Sequence, residues 1–199
     1  MGPTVFNSFL DELQARTAIN DVLTHFSRAV DRGDWALLRR CLHDDAVVTH
    51  GPFSGGADEF VAWVGPFHDG VEYCQHVDTN VTIDFVSPTE AVVEAYVLAF
   101  YAYGPTGRNP GGTAAADGSS GMRMQLLNRY VDRFTPRDGE WRIAEHTFLH
   151  VDRKTEVLTE PMVAPPGYLV SQRGSDDFLY RLGARLGADL FAFRDPSRA

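Results

Sequence analysis

The chain has 199 residues, 44% of them hydrophobic, and a formal net charge of −9, which suits one domain with a core of its own. The acidic balance excludes the basic footprint that nucleic acid or an anionic membrane surface requires, and no apolar run reaches the roughly 20 residues of a membrane span. Cys41 and Cys74 form neither a CxxC pair nor a disulfide framework, the first residues do not read as a secretion signal, and a cytoplasmic location is expected.

Ser8-Phe9-Leu10-Asp11 is a capping box opening a helix over Phe9–Val30. Its apolar stripe is Ile19, Val22, Leu23, Phe26, Ala29 and Val30, at helical spacing. Asp31 follows at the rim of that stripe, Gly33 stops the helix, and Asp34 caps a second helix over Trp35–Leu42 with Trp35, Leu38, Cys41 and Leu42 inward. Read alone, Asp31 fits a second cap, a surface charge or one half of an acid–base pair. His43-Asp44-Asp45 reads as a polar turn and Ala46–His50 as a short strand. Gly51-Pro52 and Gly55-Gly56 are breakers, and Ala57–Phe67 is a third helix with Phe60, Trp63, Val64 and Phe67 on one face.

The second half is strand-rich: Tyr73–Val86, Ala91–Tyr103, Met122–Phe134 and Trp141–Val151. Tight turns at Ser87–Glu90 and Thr135–Gly139 make an antiparallel meander the simplest topology. Gly104–Gly121 is too glycine-rich to bury anything and is expected to be a mobile excursion over one end of the sheet, either a lid or an idle insertion. A proline-rich strap, Glu160–Gly167, leads to a helix over Asp176–Phe193 that packs on its own domain or on a neighbouring subunit. The pattern is α+β: one domain with a core at about 8–152 and a strap and helix at 153–199, the curved sheet wrapping the first helices around a pocket. On Met122–Phe134 one face carries Met122, Met124, Leu126, Asn128, Tyr130, Asp132 and Phe134, the other Arg123, Gln125, Arg129 and Arg133. The first set therefore faces inward, and its polar members need partners or a ligand. The convex face also carries apolar residues, so a homodimer or homotrimer is expected.

Three segments, Val30-Asp31-Arg32-Gly33-Asp34-Trp35, His76-Val77-Asp78-Thr79-Asn80 and Arg129–Phe134 followed by Asp138–Ile143, in this order and spacing resemble the SnoaL-like branch of the nuclear transport factor two-like superfamily. The resemblance spans roughly residues 10 to 152. It implies a cone-shaped barrel: a strongly bent antiparallel sheet closed by N-terminal helices. The family includes scytalone dehydratase, hexachlorocyclohexane dehydrochlorinase and bile acid dehydratases, in which an Asp after the first helix pairs with a strand His. The matching residues are Asp31 and His76. The resemblance also places His50 and Tyr101 at pocket positions, with Asn128 or Tyr130 near a strand asparagine. Val30 stands where scytalone dehydratase has a tyrosine, a feature shared with the dehydrochlorinase, as is the Ala164–Gly167 strap.

A histidine with a carboxylate on its second ring nitrogen is a suitable general base. It can remove a proton beside a carbonyl or beside a carbon bearing a leaving group, while Tyr101 or Tyr130 protonates the leaving group or holds an enolate oxygen. The expected catalytic residues are therefore Asp31 and His76, and the expected substrate-binding residues are His50, Tyr101, Asn128, Tyr130 and His146. No cofactor is expected, and no metal, because His76, His146 and His150 lack the further ligands a site would need. Outside this family frame, Asp31 reads equally as a helix-end carboxylate bonded to backbone and His76 as a core histidine. His25, His43 and His68 read as surface or helix-face residues, and Asp132 as a structural ion pair with Arg129 or Arg133. The leading expectation is a lyase or isomerase, dehydratase-like, acting on a small hydrophobic polycyclic, aromatic or steroid-like molecule. The competing ones are a non-catalytic assembly subunit, such as the small subunit of ring-hydroxylating dioxygenases, and a small-molecule binding protein.

Overall fold

The computed structural model describes residues 5–107, 120–161, 163–188 and 190. Within them six strands form one sheet: β1 (Leu42–His50), β2 (Phe53–Gly56), β3 (Val71–Ser87), β4 (Glu90–Tyr103), β5 (Gly121–Arg137) and β6 (Glu140–Leu158). Their order is β2-β1-β6-β5-β4-β3. The long strands β3 to β6 make the expected antiparallel meander, and β1 joins β6 in parallel. The sheet is curved and unclosed. Its hollow is filled by α1 (Phe9–Arg32), α2 (Trp35–Arg40) and α3 (Ala57–Val64).

The stripe on α1 does what its spacing dictates. Ile19, Val22, Leu23, Phe26, Ala29 and Val30 are all buried, and each large side chain among them contributes about 1.5–3 kcal/mol by leaving water. Polar bonds fix how α1 lies along β3: Ser27 Oγ donates to Asp78 Oδ2 at 2.7 Å and Arg16 Nη1 to the Ile83 carbonyl at 2.9 Å. Ser8 caps the N-terminus by accepting from the Asp11 N–H. Gly33 ends the helix at φ 68°, its N–H returning to the carbonyls of Ala29 and Val30, a left-handed turn that costs glycine little. Asp34 then caps α2. On β5 the inward face is the one the alternation selects, with Met122, Met124, Asn128, Tyr130, Asp132 and Phe134 buried.

Several boundaries differ from expectation. His43-Asp44-Asp45 is not a turn but part of β1, across a register irregularity between Leu42 and Val47. Arg39 and Arg137 take up the carboxylates of Asp44 and Asp45, which stay largely exposed to water, and His43 bonds the Thr135 carbonyl at 2.8 Å. The segment between the glycine breakers is itself strand β2, hydrogen-bonded back onto β1. The third helix stops at Val64 and tightens into a 3-10 turn, Gly65–His68, at Gly65-Pro66.

The C-terminal helix is shorter than expected, α4 spanning Phe178–Leu186 and ending on Gly187 at φ 65°. It does lie on its own chain. Arg173 Nη1 donates to the carbonyls of Val30 and Asp31 at 3.1 and 3.0 Å, and Tyr180 Oη donates to Asp34 at 3.3 Å. The proposed lid falls largely on residues 108–119, outside the described residues.

Candidate active site

A cavity of about 370 Å³ opens in the hollow of the sheet, with Phe26, Phe60, Trp63, Leu126 and Phe148 among its walls. Apolar walls with a few convergent polar groups are the usual form of a small-molecule site. Two chains of polar side chains reach it.

The first runs from the end of α1. Asp31 Oδ1 accepts from His76 Nδ1 at 2.7 Å, and both carboxylate oxygens accept from the His76 backbone N–H at 3.0 and 3.1 Å. The thiol of Cys74 also donates to Asp31, at 3.5 Å. The bond at Nδ1 fixes the ring and leaves Nε2 facing Tyr101 Oη at 3.2 Å. Burial opposes a charge on His76, but the Cys74 sulfur and the Asp31 carboxylate outweigh it and hold the imidazole up at about 10. Burial keeps Tyr101 and Tyr130 well above the usual phenol range, so both remain phenols.

The second chain is in the sheet. Asp132 Oδ1 accepts from His146 Nδ1 at 2.8 Å, and His146 Nε2 meets His50 Nδ1 at 3.1 Å. Asp132 and His146 are 3% and 1% exposed. Burial, with the neighbouring imidazoles of His146, His76 and His68 disfavouring a further charge, pushes His50 well below the ordinary histidine value.

Of the expected site residues, Asp31 and His76 meet directly, and His76, His50, Tyr101, Asn128 and Tyr130 line the cavity. Asn128 Oδ1 also meets His150 Nδ1 at 3.3 Å. His146 does not line the cavity; it stands behind His50. Asp132 does not pair with an arginine as expected, because Arg129 bonds Glu94 and Arg133 bonds Glu145 on the outer face. His25, His43 and His68 are all buried: His25 is on a face of α1, whereas His43 lies in β1 and His68 in the 3-10 turn.

His68 is a cavity residue that sequence reasoning missed. Its Nδ1 donates to the Val64 carbonyl at 3.0 Å, which leaves Nε2 as a lone pair without a hydrogen-bond partner among the described residues. Burial lowers it to about 4, so it is a neutral acceptor. The only signal for it was its place just after the Gly65-Pro66 break. Cys74, two residues before His76 on the same strand face, is a second neighbour of Asp31 that strand alternation alone makes legible.

Asp31, Cys74 and His76 bring three ligand-type atoms within 4.8 Å of one another. Asp31 and His76 are nevertheless drawn to 2.7 Å, closer than the roughly 3.3 Å between two ligands of one tetrahedral zinc. The geometry is that of a hydrogen-bonded pair.

A SnoaL-like domain model matches residues 11–147. The chain belongs to the SnoaL-like family. Similar folds include a protein named as a candidate scytalone dehydratase from Novosphingobium aromaticivorans, with 23% identity over 82% of this chain and 100% of that one and a TM-score of 0.62. A hexachlorocyclohexane dehydrochlorinase from Novosphingobium barchaimii gives 23% identity over 80% and 100% of the two chains, with a TM-score of 0.60. A protein named as a candidate aromatic ring hydroxylase from Novosphingobium aromaticivorans gives 17% over 73% and 94%, with a TM-score of 0.59. No curated protein matches the chain. At these identities the likeness extends to the fold. SnoaL-like membership therefore accounts for the curved sheet and its helices, while the chemistry rests on this chain's own residues.

Proposed function

We propose that the protein is a cofactor-free lyase or isomerase, dehydratase-like, acting on a small hydrophobic polycyclic, aromatic or steroid-like molecule. The observation that carries this reading is the Asp31–His76–Tyr101 chain ending in an apolar cavity. Asp31 holds the imidazole in one orientation and stabilises its charged form, which is how a carboxylate makes a histidine an effective proton-transfer group. The expectation of a base at His76 becomes, with the proton it retains near pH 7, an acid–base pair that exchanges a proton with the substrate. Aromatic walls hold a flat or polycyclic body, and His68 Nε2 accepts a donor from it. An assembly subunit has no need of a carboxylate–histidine–phenol chain at a cavity.

The sheet's outer face presents Val92, Tyr96, Leu98 and Leu149, each more than a third exposed, and we propose that it is covered by a second or third copy. The function is tested by a thermal-shift screen with polycyclic and steroidal ligands, followed by turnover of the hits in wild type, Asp31→Asn and His76→Gln. Turnover lost in both variants, with binding retained, supports the reading. Turnover that survives both overturns it.

A further inference from the structure

The hydrogen bonds of the second chain permit only certain protonation patterns. The Asp132 carboxylate can only accept, so His146 Nδ1 carries the proton in their 2.8 Å bond. In neutral His146, Nε2 is then an acceptor, so His50 Nδ1 must donate across the 3.1 Å between them. His50 Nε2 is left as a bare lone pair on the cavity wall. The same bookkeeping at the other chain ends differently. His76 Nδ1 donates to Asp31, and a protonated His76 donates from Nε2 to Tyr101 Oη, which frees the phenol proton for the cavity. Two carboxylate-anchored chains thus meet one cavity, one ending in an O–H and the other in a lone pair.

We propose that Asp132–His146–His50 is a second proton-transfer relay, with His50 taking the substrate's proton while His76 and Tyr101 deliver one to the leaving group. This rests on the lyase reading above and sharpens it. A halide departs unprotonated, whereas a hydroxyl must be protonated as it leaves. A site with both an acceptor and a donor arm therefore suits loss of water from an alcohol whose hydroxyl is β to a carbonyl, on a mainly apolar ring frame.

The step balances. His50 Nε2 takes the proton from the carbon beside the carbonyl, and that C–H electron pair becomes the new C=C bond. The C–O bond breaks, its electrons leave on oxygen, and the Tyr101 proton converts the departing hydroxyl to water. Tyr101 recovers a proton from His76 Nε2. His50 Nδ1 passes its proton to His146 Nε2, so the positive charge comes to rest on the imidazole paired with Asp132, not on His50. As product leaves, His146 Nε2 returns its proton to His50 Nδ1, and entering water carries the proton on His50 Nε2 to His76 Nε2, which restores the starting state.

The groups facing His50 fit this assignment. His146 on β6, His76 on β3, Tyr130 on β5 and His68 after α3 surround it, and none is an acid that would hold His50 charged. Phe60 and Phe148 pack on its ring at 5.4 and 4.4 Å between centroids. His50 is the catalytic residue of the relay; His146 and Asp132 act through it as positioning residues.

Histidine-selective ¹⁵N NMR of the full chain near pH 7 tests the relay without any substrate. The expected spectrum shows His50 protonated at Nδ1 only, His146 at Nδ1 only and His76 at both nitrogens, with the His50 and His146 tautomers redistributing in Asp132→Asn. A proton on His50 Nε2 in wild type, or an Asp132→Asn spectrum unchanged at both residues, overturns the proposal. Two probes then test its direction: deuterium exchange beside the carbonyl of 1-indanone, which needs only the acceptor arm, and loss of water from 3-hydroxycyclohexanone, which needs both. His50→Gln, a substitution on the cavity wall that leaves the buried pair intact, should lower both rates by at least about tenfold. Tyr101→Phe should lower water loss more than exchange. Exchange that survives His50→Gln but not His76→Gln overturns the assignment and leaves the lyase reading standing. If wild type processes neither probe, the lyase reading fails for simple cyclic ketones, and the NMR result still decides the relay.

Discussion

Asp31–His76 and Asp132–His146 are the same pair in chemistry, a carboxylate 2.7 or 2.8 Å from a histidine Nδ1, but they are built differently. The first joins a helix end to a strand across 45 residues, and its carboxylate also takes the His76 backbone N–H. It depends on where α1 stops, hence on Gly33 and on Arg173 gripping the last carbonyls. The second spans 14 residues of one hairpin, directly across the β5–β6 ladder, and is sealed inside the sheet. The contrast teaches that one motif can be set in two ways: the helix-end pair reaches the cavity directly through His76, while the sheet pair reaches it only through His50. The pKa directions follow. His76 is raised by its close partners, and His50, which touches no carboxylate, is lowered by burial.

Substitutions at the two carboxylates should break the symmetry most visibly. Asp31→Asn should cost about 100- to 10,000-fold in turnover of whatever substrate the ligand screen yields, the range for loss of a proton-transfer group, with the circular dichroism spectrum unchanged. Asp132→Ala should show mainly as instability, about 1–3 kcal/mol by urea denaturation, because it leaves the buried His146 Nδ1 proton without an acceptor.

The pH dependence of stability sharpens the comparison. His76 holds its proton up to about 10 when folded, against about 6.5 unfolded. Its contribution is complete below pH 6.5 and is lost as pH rises toward 10. His50 is lowered, so its contribution is present above pH 6.5 and is lost as pH falls, because the unfolded chain then binds the extra proton. Tm should therefore decline on both sides of neutrality. Asp31→Asn should flatten the alkaline limb and leave the acid limb in place, as a pH series of thermal melts would record.

Two smaller effects complete the series. Arg173→Ala frees the two carbonyls at the end of α1 and should cost about 1 kcal/mol, with a several-fold fall in turnover as the Asp31 corner loosens; the same change should leave the Asp132–His146 NMR signals unmoved. On the outer face, Leu98→Lys should shift the mass measured by light scattering toward the 22.1 kDa monomer while leaving the cavity intact. A wild-type protein that is already a monomer would remove the proposed covered face.

The local pattern alone determined a good deal. The 3.6-residue stripe fixed the buried face of α1, the Gly33–Asp34 pair fixed the corner after it, and strict alternation fixed the inward face of β5, including Asn128, Tyr130 and Asp132. These follow from the neighbouring residues because helix and strand periods are set by backbone geometry. The resemblance to the SnoaL-like family named Asp31 and His76, but only the curvature of the sheet brings β3 against the end of α1. Asp132 is the clearest case of a decision the tertiary structure made. The β5–β6 hairpin closes with Arg137 opposite Glu140, and continuing that register would set Asp132 against Glu145, acid facing acid. A one-residue irregularity between Arg133 and Phe134 shifts the ladder so that His146 arrives instead. A slip of one residue exchanges the faces of a strand, and nothing in the local sequence announces a bulge. That single extra residue sends Glu145 outward to Arg133 and sets His146, the buried partner of Asp132, behind His50.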